Sequence, residues 1–590
     1  MENPVEFVED IFTGNMIYAL TIRSPVARGS LTGIECPELP DSCHLIKAEH
    51  IPGKNELAGL PVPVLADKRL SYIGQPVAIL AGPDESKLEE LAADIDLITE
   101  EEDPVFSGDN NNPADIVVER NIVSGEPDTF FGERAKIVSG TYSTGIQEHW
   151  YPEAHGAVAV HDNGAFTIHT ATQWPFHVRR SVAGLLGWDS AKVRVKPTCI
   201  SQHLDGKIWY PSLVACHAVL AAWVTGRNVK LMLTREEDFL YSPKRNRAEI
   251  TLCSALGENG EILGSTIQTV VDLGADPVFK DEIMDQTCLG TLGTYNHQLY
   301  RINGVGLRTN IPAQGPLTGF GLAQGFFAAE RHVSRIADSL GQDPAEWRKR
   351  NFIKPDQSPG AGISLKDPVP LAELIDTVAA KSDYYRKWAS YELLRRRNPS
   401  LRPEEPLRGI GISAAFQGNG FLYDNGNGDD NCPVEQSIRP DKAPGWAAAV
   451  AEIEINPVSL APFIRGIWLV VDGGRIISEN RAGGVLRAGI IQALGWASRE
   501  KLYYKDGKIP SGFFRRYDIP APEEIPAIHI GFINNNAGEP KGIGELPFCC
   551  IPAAYSQAVS QAMDHHFEKI PLRTEDIWDA WKAGQTELSS

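Results

Sequence analysis

The chain has 590 residues, of which 42% are hydrophobic, so it is long enough for several packed cores and too apolar for an extended disordered protein. Its formal charge is −20, from 76 acidic and 56 basic residues. A negative field of this size repels phosphate backbones and anionic lipid surfaces, which excludes nucleic acid and membranes as expected partners.

The amino terminus and the cysteines indicate a cellular compartment. The first residues are acidic and lack the basic start and apolar run of a secretory signal, and the most apolar stretch, 213–224, is too short to span a bilayer. The nine cysteines are irregularly spaced and include no CxxC pair, which argues against an internal iron–sulfur cluster. Cys36, Cys43 and His44 have no second ligand pair, so buried thiols are favoured over zinc, and no metal ligand is predicted. We therefore predict a cytoplasmic chain.

The first half of the chain alternates between strand and helix patterns. A turn at residues 72–76 leads into a buried strand at 77–80, and a helix is predicted over 85–93. The loop 107–113 is dense in turn formers and marks the first domain boundary. Beyond it we predict strands at 157–160, 165–169 and 193–195, and helices that include 182–186, 212–225 and 328–340. This alternation predicts an α/β or α+β fold.

The second half has a charged helical stretch at 371–397, followed by a Pro-rich link at 399–406. Residues 418–431 form a glycine- and acid-rich loop whose spacing misses the calcium-loop pattern, so a solvated turn is favoured over a metal site. We predict three domains, at residues 1–112, 113–400 and 401–590.

Several motifs occur in an order that resembles one known family. They are QEHWYPE at 147–153, TQWPF at 172–176, TGR at 225–227, TREED at 234–238, GFG at 319–321, YDIP at 517–520, KGIGE at 541–545 and PLRTE at 571–575. On these segments the chain resembles the molybdopterin-binding large subunit of molybdenum hydroxylases, the xanthine dehydrogenase and aldehyde oxidase family. The resemblance implies an α/β-hammerhead-like first domain followed by two elongated mixed α/β lobes.

The resemblance also implies a candidate site. In the family a molybdenum ion carried by a pterin dithiolene hydroxylates an electrophilic carbon with oxygen from water, and the matching base here is Glu545. By the same matching, Gln173 faces a molybdenum oxo ligand, Phe320 stacks on substrate, and backbone at Gly206, Gly319, Gly321 and Gly544 approaches the cofactor. Each has a plainer alternative: Glu545 satisfies backbone donors of its turn or of the following helix, Gln173 is a strand-end amide, and Phe320 is core.

Other positions depart from the family pattern. The glycine-rich cofactor loop reads SQHLDGK at 201–207, so side chains replace three glycines and Asp205 adds a negative charge near an anionic cofactor. The second loop has Thr318 in place of an arginine, which removes a cation. A family segment expected between Gly411 and Glu452 is missing, and 414–451 is predicted to be loops and turns.

Three functions remain open from the sequence. The first is a divergent subunit with an impaired or absent molybdopterin site that pairs with a catalytic paralogue, within a hetero-oligomer that includes iron–sulfur and flavin subunits. The second is an active hydroxylase of small N-heterocycles or aldehydes with Glu545 as base. The third is a small-molecule binding protein that uses the vestigial pocket. The resemblance places the iron–sulfur clusters and the flavin on other chains.

Overall fold

The computed structural model describes residues 6–132, 135–162, 164–201, 204–355, 369–397, 406–418, 444–533 and 538–589. The predicted Pro-rich link, apart from Pro406, and nearly all of the predicted glycine- and acid-rich loop lie outside these residues. Among the described residues, no helix combines the length and apolarity needed to cross a bilayer.

The strands form four sheets. In chain order they are β1 (Ile17–Arg23), β2 (Gly29–Glu35), β3 (His44–Lys47), β4 (Arg69–Leu70), β5 (Pro76–Gly82), β6 (Asp96–Glu101), β7 (Ile116–Ser124), β8 (Lys136–Thr144), β9 (Gly156–Asp162), β10 (Ala165–Thr170), β11 (Val193–Pro197), β12 (Val229–Met232), β13 (Ala248–Leu256), β14 (Ile262–Asp272), β15 (Leu299–Leu307), β16 (Leu407–Gln417), β17 (Gly445–Ile455), β18 (Pro462–Asp472), β19 (Ala527–Phe532) and β20 (Lys569–Ile570).

The helices alternate with these strands. They are α1 (Glu85–Ala93), α2 (Pro175–Leu186), α3 (Tyr210–Thr225), α4 (Arg235–Tyr241), α5 (Lys280–Leu292), α6 (Leu322–Ser339), α7 (Pro344–Asn351), α8 (Leu371–Ser382), α9 (Tyr384–Arg397), α10 (Glu479–Ser498), α11 (Leu546–Met563) and α12 (Thr574–Ser589). The mixed α/β class predicted from the sequence is confirmed. The helix predicted over 85–93 is confirmed as α1, where the Asp84 carboxylate caps the first turn by accepting from the Lys87 amide at 3.2 Å.

The predicted charged helical stretch 371–397 is confirmed as two helices, α8 and α9, which are separated at Asp383 by its left-handed conformation (φ +56°). One local prediction is wrong. Residues 414–417 and 445–451 were expected in loops but belong to β16 and β17. Both strands are buried on both faces, so their sequences lack the alternation of polar and apolar residues that marks a strand with one exposed face.

The largest sheet joins the start of the chain to a later segment. Its seven strands run β11-β10-β9-β12-β1-β5-β3, and β1 pairs in parallel with β12. A six-stranded sheet has the order β20-β8-β13-β14-β15-β7, and a three-stranded sheet the order β4-β2-β6. The predicted boundary at residue 112 falls in the loop between β6 and β7, yet strands from both sides share the largest sheet. The three domain ranges remain a prediction.

The last third of the chain is built on the four-stranded sheet β16-β17-β18-β19. Helix α11 lies directly on β16, because Gly409 and Gly411 leave no side chain between the two backbones: a Cβ at Gly411 would lie 2.1 Å from the Ala554 carbonyl oxygen. The start of α11 is thereby held at the edge of the sheet, where the candidate site lies.

Candidate functional site

Four separate segments meet around the residues singled out in the sequence. Gln173 follows β10, and its backbone N–H donates to the Lys207 carbonyl at 2.8 Å. Its side-chain Nε2 donates to Asp205 Oδ1 at 3.1 Å. The Gly319 N–H donates to the carboxylate of Glu545, which stands at the start of α11. The site thus joins the 204–207 loop, the 318–321 loop, Gln173 and Glu545.

Glu545 is held at both its backbone and its carboxylate. Its N–H donates to Gln417 Oε1 at 2.8 Å, and its side chain makes no capping bond to α11, so the alternative role as a helix cap is wrong. Burial raises the pKa of this carboxyl, the nearby Asp205 carboxylate adds to the rise, and the Arg245 guanidinium and the Gly319 amide oppose it, which leaves the pKa at about 8. Glu545 therefore keeps a proton at neutral pH.

The 318–321 loop has a backbone conformation that requires glycine at one position. Gly319, Phe320 and Gly321 have φ of +97°, +45° and +101°. A Cβ at Gly321 would lie 2.1 Å from Thr287 Oγ1, whereas at Gly319 the nearest atom would be 3.6 Å away. The Phe320 ring is 7% exposed and packs edge-on against Phe279, with ring centroids 5.8 Å apart.

The 204–207 loop packs tightly beneath Gln173. Asp205 has a left-handed backbone (φ +66°), and a Cβ at Gly206 would lie 2.2 Å from the His149 ring. The buried Lys207 ammonium donates to the Glu153 carbonyl at 3.0 Å. By contrast, a Cβ at Gly544 would have only Val485 near it, at 3.8 Å, so the described surroundings do not require glycine there.

Sequence reasoning missed Arg245, which lies at the centre of the site. It is 1% exposed, and its Nη1 donates to the Thr318 carbonyl at 3.0 Å. The same peptide group gives its N–H, from Gly319, to Glu545, so one peptide bridges the guanidinium and the carboxylate. Arg245 stands in the basic segment 244–247, whose composition is equally typical of a solvated surface, so no sequence signal identified it.

Several buried polar atoms of the site have no hydrogen-bond partner among the described residues. They are Gln173 Oε1, Arg245 Nη2 and Thr318 Oγ1. Buried polar groups are nearly always satisfied in folded proteins, so a cluster of unsatisfied ones indicates space for water or a ligand. The arrangement offers donors and acceptors on one side and a protonated carboxyl on the other.

Two segments of the chain match protein-family models. Residues 109–352 and residues 430–526 each match a model described as a molybdopterin cofactor-binding domain. Together the matched ranges include Gln173, Gly206 and the 318–321 loop, while Glu545 lies beyond them.

Two dehydrogenases are among the curated proteins that are similar to this chain. The chain is 26% identical over 400 residues to the nicotinate dehydrogenase large molybdopterin subunit of Eubacterium barkeri, covering 64% of this chain and 92% of that protein. It is 26% identical over 339 residues to the xanthine dehydrogenase of Blastobotrys adeninivorans, covering 57% of this chain and 24% of that protein.

Solved structures share the fold. The CO dehydrogenase of Oligotropha carboxidovorans superimposes with a TM-score of 0.86 at 16% identity, over 99% of this chain and 96% of that chain. The quinoline 2-oxidoreductase of Pseudomonas putida superimposes with a TM-score of 0.82 at 18% identity, over 98% and 96% of the two chains.

Proposed function

Because this chain belongs to the family of molybdopterin-binding large subunits of molybdenum hydroxylases, we propose that it works as a subunit of a multi-subunit oxidoreductase complex. Its own molybdopterin site is impaired, and it pairs with a catalytic paralogue. Iron–sulfur and flavin subunits complete the complex, since none of the motifs in this chain supplies either group.

The observation that carries the proposal is the position of Asp205. Its carboxylate takes one of the Gln173 amide donors at 3.1 Å and adds to the rise in the pKa of Glu545. With Glu545 protonated, the Asp205 carboxylate is the negative charge of the site, and it disfavours a further negative charge beside it. A pterin dithiolene with its phosphate is anionic, so the described residues of this site do not fit it.

The cations nearby do not compensate for Asp205. Thr318 stands where the family pattern has an arginine, the Lys207 ammonium is tied to Glu153, and burial lowers the pKa of His149 to about 3, which leaves that ring neutral. Among the described residues, Arg245 is the cation that acts on the pKa of Glu545, and its Nη1 donates to the Thr318 carbonyl.

A second candidate, an active hydroxylase of small N-heterocycles or aldehydes, is favoured by one observation. Glu545 has a pKa of about 8, near that of an efficient general base, and it interacts with Arg245, whose Nη2 has no partner among the described residues. On this alternative, a partner chain supplies the cofactor contacts that this chain lacks.

The test is the molybdenum and pterin content of the chain, purified alone and co-expressed with the products of neighbouring genes. We expect neither group in the isolated chain, and molybdenum in the complex in proportion to the paralogue. Stoichiometric molybdenum and pterin in the isolated chain would contradict the proposal of an impaired site and support the second candidate.

A substitution at Asp205 sharpens this experiment. Asp205→Gly removes the carboxylate and frees the Gln173 amide, so we expect it to raise molybdenum and pterin occupancy in the co-expressed complex. Asp506→Gly is the matched control, because Asp506 also has a left-handed backbone (φ +51°) but lies in the turn 505–508. Equal occupancy in both variants and the parent chain would show that Asp205 does not limit binding.

A further inference from the structure

A cavity of about 80 Å³ lies between α6, α9 and the end of α11. It shares no lining residue with the site around Glu545. A single water needs about 10–15 Å³ of such space, so the cavity holds several waters or one tetrahedral ion. Its lining includes Arg331 from α6, Arg395 from α9, and Ser560 and His566 from α11 and the segment after it.

Arg331 is the most deeply buried charge of this cavity. It is 2% exposed, its Nε donates to the Phe567 carbonyl at 3.2 Å, and its Nη2 donates to Ser560 Oγ at 2.9 Å. Both acceptors are neutral, and Nη1 is buried with no partner among the described residues. An arginine buried without a carboxylate partner is costly, which favours an anion beside it.

A second arginine of the cavity lining also has an N–H without a partner. Arg395 Nε is buried and has no partner among the described residues, although its two other nitrogens pair with Glu392 and Asp564. The residues that line this cavity therefore have two buried side-chain atoms without a partner among the described residues. Both atoms are donors on cations. What they need is an acceptor.

The carboxylates of the cavity are already engaged. Glu392 and Asp564 both pair with Arg395, and Asp338 Oδ2 lies 3.1 Å from His566 Nε2. These three acids share the cavity with two arginines and two histidines, and among the described residues Arg331 forms no ion pair with any of the three. Asp338 and His566 are 49% and 40% exposed, which gives the cavity a way to solvent.

We propose that this cavity binds a small inorganic oxyanion of the phosphate or sulfate class, held by Arg331 Nη1 and Arg395 Nε. The planar guanidinium matches the geometry of oxyanions, and charge-assisted bonds of this type are the stronger ones in proteins. The ion completes the hydrogen bonds of α6 and α9 and is independent of any cofactor at the Glu545 site.

The test is isothermal titration calorimetry of inorganic phosphate into the full chain, with ionic strength held constant by sodium chloride. We expect saturable binding at one site per chain and competition by sulfate. Arg331→Gln removes the unpartnered cation and should weaken phosphate binding by about tenfold or more. Arg335→Gln is the matched control, because Arg335 is on the same helix but pairs with Glu568 and does not line the cavity.

A second variant keeps the test decisive if Arg331→Gln does not fold. Asp338 is half exposed, and Asp338→Asn removes a negative charge from the cavity without emptying its core. We expect this variant to bind phosphate about threefold more tightly than the parent chain. If neither the parent chain nor Asp338→Asn gives saturable heat, or if Arg331→Gln binds as the parent does, the cavity holds water and the proposal is wrong.

Discussion

At the scale of single residues, the candidate site is linked to the buried carboxyl of Glu500. Gln147 Oε1 accepts from Arg245 Nε at 3.0 Å, and Gln147 Nε2 donates to Glu500 Oε2 at 3.0 Å. Glu500 also accepts from the Tyr517 hydroxyl at 2.8 Å. The hydrogen bonds therefore run from Glu500 through Gln147 and Arg245 to the peptide that holds Glu545.

Glu500 makes stability depend on pH in a definite direction. Burial raises its pKa from 4.5 to about 7, so the folded chain holds the proton more tightly than the unfolded chain. That contribution is fully present below pH 4.5 and is lost as pH rises to 7. Glu500→Gln keeps both hydrogen bonds to Oε2 and stays neutral.

We expect Glu500→Gln to be more stable than the parent chain at pH 8, by about 2 kcal/mol, with the difference vanishing near pH 5. The measurement is urea unfolding at both pH values. Glu575→Gln, at a side chain 67% exposed, is the control and should show no such trend. A difference that grows toward low pH would contradict the assignment.

The sequence predicted site residues that lie in short motifs, and it missed those whose roles depend on contacts between residues far apart in the chain. Gln173, Phe320 and Glu545 were identified because each lies in a short motif, and the structure brings the segments that carry them together. Arg245 and Glu500 were missed because their roles come from contacts across the fold: Gln147 and Glu500 are 353 residues apart. No local pattern encodes such a pair.

At the scale of elements, prediction succeeded where a helix or strand has its own end signals. α1 has an aspartate cap and a regular apolar spacing, and its bounds were predicted to the residue. β16 and β17 lack such signals, because alanine and glycine fill positions on both buried faces. Their identity as strands depends on α11 and the neighbouring strands, which the local sequence does not specify.

The close packing of α11 on β16 predicts that a larger residue at Gly411 is destabilising. Gly411→Ala places a methyl group 2.1 Å from the Ala554 carbonyl oxygen, so helix and sheet must separate, at a cost of about 3 kcal/mol. Gly484→Ala is the matched control: it lies inside α10 with nothing within 4 Å of its added Cβ, and should stabilise by about 0.5–1 kcal/mol.

Thermal unfolding of the two glycine variants measures both effects under one condition. We expect changes of opposite sign, because one substitution adds a clash and the other only lowers the entropy of the unfolded chain. If Gly411→Ala is as stable as the parent chain, α11 does not contact β16 as closely as described. The position of Glu545, which begins α11, would then be in question as well.

At the scale of the whole molecule, the last third of the chain is interlocked with the part that carries the six-stranded sheet. β20 pairs in parallel with β8, so a strand from the last third completes the sheet of β7, β8, β13, β14 and β15. Trp496 Nε1 donates to the Gly145 carbonyl at 2.9 Å, and Ile146 bridges to Leu502. The two parts share hydrogen bonds as well as apolar surface, which favours unfolding as one cooperative unit.

At the candidate site, Arg245 contacts residues of both parts of the chain and joins the last third to the part that precedes it. Its guanidinium lies 4.4 Å from the Trp496 ring centroid and 4.9 Å from that of Phe548, while its nitrogens donate to Gln147 and Thr318.

Arg245→Met keeps the apolar volume but leaves two buried acceptors without donors, at about 1–3 kcal/mol each, and removes the cation from both rings. We expect calorimetry to give one unfolding transition for the parent chain and a lower, broader or divided transition for Arg245→Met. Arg386→Met, at a side chain 72% exposed, should unfold as the parent does. An unchanged transition in Arg245→Met would mean that the two parts are held together elsewhere, and that the peptide at Thr318 and Gly319 keeps Glu545 in place without the guanidinium.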